Sequence, residues 1–548
     1  MRKILFGVLG CLVAICAHAA QVVNVDYVHK LIAQKWDISV PIKTNNIMAV
    51  ANMKYLLTAV DVANEILNGE KTTDYGNTEF ATTQVADTVA TIQAVDTLVR
   101  KEDKSPKFFL TTTSTNSFSF SISAAGKFYV DWGDGTVETI TKTNITDTTY
   151  THNYATAGAY TIGLSGQATA YNTDTSTAAI SFYVNSSQTK IASIDGSLGA
   201  IFGTLSSDTD NQPRFNNTFY NATNMTGSIP SNLFAGISGA PAVRMFASTF
   251  YGCSGLTGAI PSDLFAGISG APASNMFRGT FWKCSALTGA IPDGLFGNLT
   301  GSPADSMFDS TFYGCSGLTG AIPDGLFAGI SGEPAMNMFN STFKDCSGLT
   351  GAIPADLFAG ISGAPADSMF ISTFNGCSGL TGSIPSDLFA GISGAPATGM
   401  FASTFRKCSG LTGAIPDGLF AGISGAPAGG MFKETFSGCS GLTGAIPDGL
   451  FGNLTGAPAS YMFNSTFSGC SGLTSIPENL FGNISGTAKS VMFFQTFYNC
   501  TSLTGPSARI NGQYLYEIWP SATTGQVSDM YYRATGLSDY SSIPSAWK

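Results

Sequence analysis

Histidine is nearly absent from this chain, with 3 residues in 548, and only His29 and His152 lie beyond the first 19 positions. A histidine-rich metal site or a set of Ser/His/Asp triads therefore has almost no raw material. Nine of the 11 cysteines recur at equivalent positions, and no basic neighbour recurs beside them to lower the thiol pKa. We therefore expect a protein that is not an enzyme and has no cofactor.

Clustered positive charge and long apolar runs are also missing. The chain has 26 Lys and Arg against 36 Asp and Glu, a formal net charge of −10, and its basic residues form no cluster. A phosphate-binding footprint is absent, so we expect no nucleic-acid partner. Beyond the N-terminus no stretch has 18 or more uncharged apolar residues, so we expect no membrane-spanning segment.

The N-terminus predicts export. Met1 to Lys3, the apolar run Ile4 to Ile15 and the Ala17-His18-Ala19 site are typical of a secretory signal peptide over residues 1–19. The mature protein is then secreted or displayed at the cell surface. An alternative interpretation takes Val8-Leu9-Gly10-Cys11 as a lipoprotein box that would attach lipid at Cys11.

Residues 20–106 form a predicted helical segment. Three apolar stripes at helical spacing run through it, the second of which ends at Asn68-Gly69. The segment could mediate self-association or cell attachment, or simply pack against the next domain.

A 31-residue period governs the rest of the chain. Around each cysteine recurs the pattern Met245-Phe246-x-x-Thr249-Phe250-x-x-Cys253-Ser-Gly-Leu256-Thr-Gly-x-Ile260-Pro261-x-x-Leu264-Phe265. The cysteines stand 31 residues apart, and the last spacing is 30: Cys253, Cys284, Cys315, Cys346, Cys377, Cys408, Cys439, Cys470 and Cys500. Such a period predicts a solenoid, in which each unit buries its apolar face against its neighbours. Ten units are expected over 215–505.

Within a unit we predict one short strand and two short helical turns. The Met, the two Phe and the Cys would line one face of a two-turn helix, Leu-Thr-Gly-x-Ile-Pro would add a rung to a parallel ladder, and Pro-x-x-Leu-Phe would start a second turn. The nine cysteines have a structural role, as buried thiols that stay unpaired, because parallel side chains on neighbouring units do not readily reach disulfide geometry.

Residues 107–189 alternate apolar and polar side chains, which predicts an all-β domain. The sequence Asp131-Trp132-Gly133-Asp134-Gly135-Thr136, followed by His152-x-Tyr154 and by Gly158-x-Tyr160-x-Ile162, resembles the PKD-like β-sandwich domains of exported proteins. Asp131 and Asp134 could bind calcium, although carboxylates in such a turn more often cap backbone amides. We expect His152 to be structural.

The repeats resemble those of the BspA-like leucine-rich-repeat surface proteins. The resemblance is carried by Phe281-x-x-Cys284-x-x-Leu287 followed by Ile291-Pro292, and by its copies in neighbouring units. It implies an α/β leucine-rich-repeat-type solenoid on a bacterial surface protein that binds ligands or adheres. The units here are longer than those of the family. Residues 190–214 and 506–548 would form the N-terminal and C-terminal caps of the solenoid.

Candidate binding residues lie where the repeats differ, because core positions are constrained by packing whereas surface positions are free. The pair of positions just before each cysteine holds aromatic and cationic residues suited to a protein or glycan ligand: Tyr251, Trp282, Lys283, Tyr313, Lys344, Arg406, Lys407 and Tyr498. Ordinary surface variation is the competing interpretation.

These observations favour an exported, non-enzymatic binding or adhesion protein with an extracellular protein or glycan ligand. One alternative is a structural protein that assembles into a surface layer or fibre through residues 20–106. Another is an accessory protein of a glycan-active enzyme. A row of threonines at Thr249, Thr280 and Thr311 raises the remote option of ice or mineral binding.

Overall fold

The computed structural model describes residues 104–548. The predicted signal peptide, Cys11 and nearly all of the predicted helical segment lie outside these residues. Regular structure between 104 and 548 is mostly sheet, with two short α-helices, and no helix in this part of the chain is long and apolar enough to cross a membrane.

Two antiparallel sheets form the first part. Their strands are β1 Phe108–Thr112, β2 Thr115–Ile122, β3 Ala125–Asp131, β4 Val137–Lys142, β5 Thr148–Gly158, β6 Thr161–Ala170, β7 Ile180–Ser181 and β8 Ile191–Gly196. A five-stranded sheet has the strand order β4-β3-β6-β1-β8 and a three-stranded sheet has the order β5-β2-β7. The alternating pattern of Thr and Ser with Phe and Ile places Phe118, Phe120 and Ile122 of β2 in the core, where Phe120 packs on Trp132.

Strand β8 belongs to this sheet and also to the first repeat. One of its edges pairs with β1, with Phe108 opposite Gly196. On the other side, Thr226 donates its backbone N–H to Ala192 O at 2.8 Å. The sequence predicts an N-terminal cap of the solenoid over 190–214, and the structure places the first strand of this segment, β8, at the edge of the five-stranded sheet. The reason is that the β8 backbone offers hydrogen-bonding groups on both edges.

The core of the sheets continues into the repeats without interruption. The Phe182 ring stacks on Phe219 with centroids 5.3 Å apart, and Phe108 lies 6.3 Å from the same ring. Both sets of buried side chains belong to one hydrophobic cluster. The sheets therefore cover the first repeat.

We call residues 215–505 the repeat array. The same side-chain contacts recur in it with the 31-residue period of the sequence. The first Phe of each repeat stacks on its equivalent in the next at 5.6–6.1 Å, and the second Phe does so at 5.5–5.8 Å. These rings are fully buried. Each repeat thus supplies core to both of its neighbours.

The segment from the Met to the Cys is a chain of turns, not the predicted helix. In the fourth repeat, alternate residues donate their N–H three residues back, as Thr311 does to Phe308 O, while the residues between them donate to the following repeat, as Phe312 does to Thr342 O at 2.9 Å. Every fourth residue, here Ser306 and Ser310, has a positive φ. Half of the backbone donors are therefore used between repeats, which an α-helix would not allow. The predicted second helical turn, over Pro-x-x-Leu-Phe, is also a turn and not a helix, although its bonds, such as Leu326 N–H to Pro323 O, stay within the repeat.

Two parallel ladders join the remaining sides of each repeat. One runs through Leu-Thr-Gly, where Gly320 pairs with Leu349, and the other through Ile-Ser-Gly, where Gly332 pairs with Ile361. Longer pieces appear near the end of the array: β9 Thr443–Ala445, β10 Thr455–Gly456, β11 Gly472–Ser475 and β12 Asn483–Ile484, with β11 parallel to β9 and β12 parallel to β10. The predicted parallel ladder over Leu-Thr-Gly is present.

The threonine row lies in the core. Thr311 Oγ1 donates to Phe277 O of the preceding repeat at 3.0 Å, and Thr249 and Thr280 make the equivalent bonds at 2.9 Å. All three side chains are fully buried. These hydroxyls are therefore not presented to ice or a mineral.

The last described segment covers the end of the array. The Tyr531 ring stacks on Phe497 at 5.8 Å, and Trp519 lies 5.8 Å from Phe493. It contains β13 Arg509–Ile510 paired with β14 Gln513–Tyr514, and the helices α1 Leu515–Ile518 and α2 Thr524–Val527.

The backbone of the preceding repeat comes so close to Gly360 that this position is sensitive to substitution. A Cβ on Gly360 would lie well inside van der Waals contact of Ile330 O in the preceding repeat. We expect Gly360→Ala to lower the free energy of unfolding by about 1–3 kcal/mol, measured by urea denaturation.

The chain supplies matched controls. Gly348→Ala should cost less, since the equivalent position already holds Ala286. The double change Ala359→Gly with Gly360→Asn copies Gly297-Asn298, where Asn298 Nδ2 donates to Ala266 O at 2.7 Å, and should be tolerated. Equal losses in all three variants would contradict the steric explanation.

Candidate functional site

The aspartates of the Trp-Gly-Asp-Gly turn bind backbone. Asp131 Oδ1 accepts from Gly133 N at 3.0 Å, and Asp134 Oδ1 accepts from Thr136 N at 2.9 Å. Within residues 104–548 no group of three or more His, Cys, Asp or Glu side chains is placed to hold a metal ion. The geometry matches the capping interpretation of these carboxylates.

His152 is held by the same turn. Its Nε2 lies 2.8 Å from Asp134 Oδ2, and its ring stacks on Trp132 at 4.9 Å. The hydrogen bond from His152, with that from Thr136 N–H, lowers the pKa of Asp134 to about 2. Tyr154 closes the group by donating its hydroxyl to Trp132 O at 3.0 Å. These contacts tie β5 to the turn.

The nine repeat thiols are free and buried. Each Sγ donates to the carbonyl of the second Phe of the preceding repeat, as Cys346 does to Phe312 O at 2.9 Å. Burial raises the pKa of Cys346 to about 12 and raises that of Cys377 well above its usual value. A thiol with a raised pKa and no access to solvent is a poor nucleophile.

The predicted aromatic residues form a continuous row, which we call the aromatic ladder. The Tyr251 ring lies 4.7 Å from Trp282, and Trp282 lies 4.8 Å from Tyr313. Lys344 Nζ sits 4.9 Å from the centroid of the Tyr313 ring and ends the row. Four of the predicted binding residues are therefore brought together on consecutive repeats.

Two members of the ladder were missed from the sequence. Tyr220 stacks on Tyr251 at 4.5 Å, and Tyr183 lies 4.9 Å from Tyr220. Tyr220 could have been found, because it occupies the same place in the first repeat. Tyr183 lies just after β7 in the sheets, outside the period, and nothing in the sequence pattern indicates its position.

The other predicted residues are placed differently. Arg406 is ion-paired, with Nε 3.3 Å from Glu434 Oε2. Tyr498 lies at the far end of the array, where it stacks on Tyr532 at 4.9 Å. The small residues Ser437 and Ser468 occupy the equivalent positions between Arg406 and Tyr498, so Tyr498 does not join the ladder.

Lys283 lies beside the ladder and Lys407 lies three repeats beyond Tyr313, and both occupy strained positions. Both have left-handed backbone, with φ of 56° and 60°, whereas the equivalent residues of the flanking repeats, such as Gly314 and Gly438, are glycines. A Cβ on Gly314 would lie 3.2 Å from Lys283 Cγ. Each lysine therefore packs over the glycine of the next repeat.

Comparison with known proteins gives no relative: no family model, no curated protein and no solved structure matches the chain.

Proposed function

We propose that the chain is an exported, non-enzymatic binding or adhesion protein, and that residues 215–505 form a leucine-rich-repeat-type solenoid akin to those of BspA-like surface proteins. Inter-repeat hydrogen bonds and stacked Phe rings support the solenoid part of the proposal. These contacts fix the spacing of the repeats, so that equivalent surface side chains of successive repeats lie in a row.

The aromatic ladder is the single observation that carries the proposed function. Partly exposed Tyr and Trp side chains with cations beside them are the residue types that dominate binding energy at interfaces. Elsewhere in the array the repeated Phe rings are buried, while the exposed Tyr461 and the half-buried Tyr498 lie outside this row. The ladder is therefore the surface on which we place ligand recognition.

A binding screen of the mature chain against extracellular-matrix proteins and glycans tests the proposal. Trp282→Ala should weaken capture of a bound ligand by about 2 kcal/mol, roughly 30-fold, because a central aromatic anchor is lost. Lys407→Ala should weaken it less, and Arg406→Ala less again, because Arg406 is already paired within the chain. The measurement is a dissociation constant from surface plasmon resonance.

Asp356→Asn, an exposed change on the Pro-x-x-Leu-Phe turn, is the control and should leave binding unchanged. A ligand that binds Trp282→Ala as tightly as the unaltered chain would place recognition elsewhere. Concentration-dependent assembly without any ligand would instead favour the structural alternative.

A further inference from the structure

The aromatic ladder begins outside the repeats. Tyr183, at 51% exposed, belongs to the segment that follows β7, and its ring contacts Tyr220 of the first repeat. The row of five rings therefore crosses from the sheets into the array on one continuous surface. A ligand on the ladder would contact both parts.

The faces of these rings are largely covered by one another. Tyr220 and Tyr251 are nearly parallel, at 11°, with centroids 4.5 Å apart, and Trp282 packs between Tyr251 and Tyr313. Recognition of a sugar by stacking needs an open ring face. Ring edges and phenol hydroxyls are what this ladder offers along most of its length, and they suit the mixed apolar and polar contacts of a polypeptide.

The charges on the Met-to-Cys segments are unbalanced after their internal contacts are counted. These segments carry six cations against three carboxylates, and only Arg278 with Asp309 and Arg406 with Glu434 are ion-paired. By contrast, Lys283, Lys344, Lys407 and Lys433 have no carboxylate partner in residues 104–548. The surface therefore presents unpaired positive charge.

Two of these lysines are kept at a conformational cost. Left-handed backbone is unfavourable for a residue with a side chain, and glycine avoids the penalty. The flanking repeats use glycine at this place, yet Lys283 and Lys407 do not. Asn221, Asp345 and Asn499 have the same left-handed backbone at this place, so the conformation belongs to the repeat and the two lysines add charge to it.

We propose that the ladder from Tyr183 to Tyr313, with Lys283, Lys344 and Lys407, binds an acidic polypeptide segment. The proposal rests on the proposed binding function and narrows it to a ligand class. Apolar side chains of the segment pack along the ring edges, while its Asp and Glu carboxylates pair with the free ammonium groups.

Selection from a random peptide library displayed on phage, with the mature chain as bait, tests this assignment. We expect the selected peptides to be enriched in Asp and Glu, and we expect replacement of those residues by Asn and Gln to weaken binding of a synthetic selected peptide about tenfold or more. Tyr183→Ala should weaken the same peptide about fivefold. Phe109→Ala, which alters an exposed ring of the sheets outside the ladder, should not.

The double variant Lys283→Gly with Lys407→Gly tests the two lysines in a chain that we expect to fold normally. Both changes restore the residue used by flanking repeats, so the melting temperature should stay equal or rise while peptide affinity falls about tenfold. Selected peptides without acidic enrichment, or affinities unchanged in this variant and in Tyr183→Ala, would overturn the assignment.

A parallel glycan array separates the two proposals. Specific glycan capture with no enriched peptide overturns the acidic-polypeptide assignment but leaves a binding protein. Failure to bind any peptide, matrix protein or glycan overturns the proposed function itself.

Discussion

Mild alkali is expected to unfold the repeat array in a steep transition. Nine thiols are buried, and burial raises their pKa, to about 12 at Cys253, Cys346, Cys439 and Cys500. A raised pKa in the folded state means that the folded chain keeps protons which the unfolded chain releases. The stabilising contribution of each thiol is therefore complete below the pKa of the unfolded thiol, near 9.0, and is lost as the pH rises towards the folded value.

The size of the effect comes from the number of thiols. Each pH unit above the unfolded pKa costs roughly 1.4 kcal/mol per thiol. Nine thiols together remove on the order of 12 kcal/mol per unit, which is comparable with the whole stability of a typical domain. We expect urea or thermal unfolding with a reductant present to show stability falling steeply between about pH 9 and about pH 10.5.

Replacement of three thiols isolates this cause. Ala222 already fills the cysteine position of the first repeat and is fully buried. The triple variant Cys346→Ala, Cys377→Ala and Cys408→Ala should therefore fold, and the slope of stability against pH should fall by about a third. An unchanged slope, or a flat profile for the unaltered chain, would contradict the prediction.

Loss of one central ring is the second large effect. Phe343 is fully buried and lies 5.8 Å from both Phe312 and Phe374, the equivalent rings of the neighbouring repeats. Phe343→Ala should lower the free energy of unfolding by about 3–5 kcal/mol, because it removes a large apolar side chain and leaves a cavity that stacked neighbours cannot close.

The position of the damage is as informative as its size. Because the ring contacts adjacent repeats, hydrogen exchange should accelerate most in the repeat of Phe343 and in the two beside it. Ala352→Ser, an exposed change in the same repeat, should alter neither stability nor exchange. Uniform acceleration along the array would show that the repeats unfold as one unit.

The period and the core could be predicted from the sequence because they depend on residue identity. Phe, Cys, Leu and Ile recur at fixed intervals, and the structure buries them. The turn segments could not. Ser306 and Ser310 do not indicate left-handed backbone as glycine would, and the N–H groups that make this conformation favourable bond to the next repeat. A short apolar segment that follows a Pro predicts a helix as long as its hydrogen bonds to the next repeat are unknown.

The residues of the candidate site that follow the period could also be predicted from the sequence, and the others could not. Tyr251, Trp282, Tyr313 and Lys344 share one place in the period and lie in a row. Tyr183 joins them only through the packing of the sheets on the first repeat, and the strain at Lys283 and Lys407 is visible only from the backbone.

Strand β8 has a mechanical consequence. It is bonded to β1 on one edge and to the first repeat on the other, so no slack linker separates the two parts. Tension applied by a tethered ligand and carried through the array therefore meets no flexible linker that could lengthen at this junction. It must instead break several hydrogen bonds of β8 together, which would make the junction resist tension and then yield abruptly.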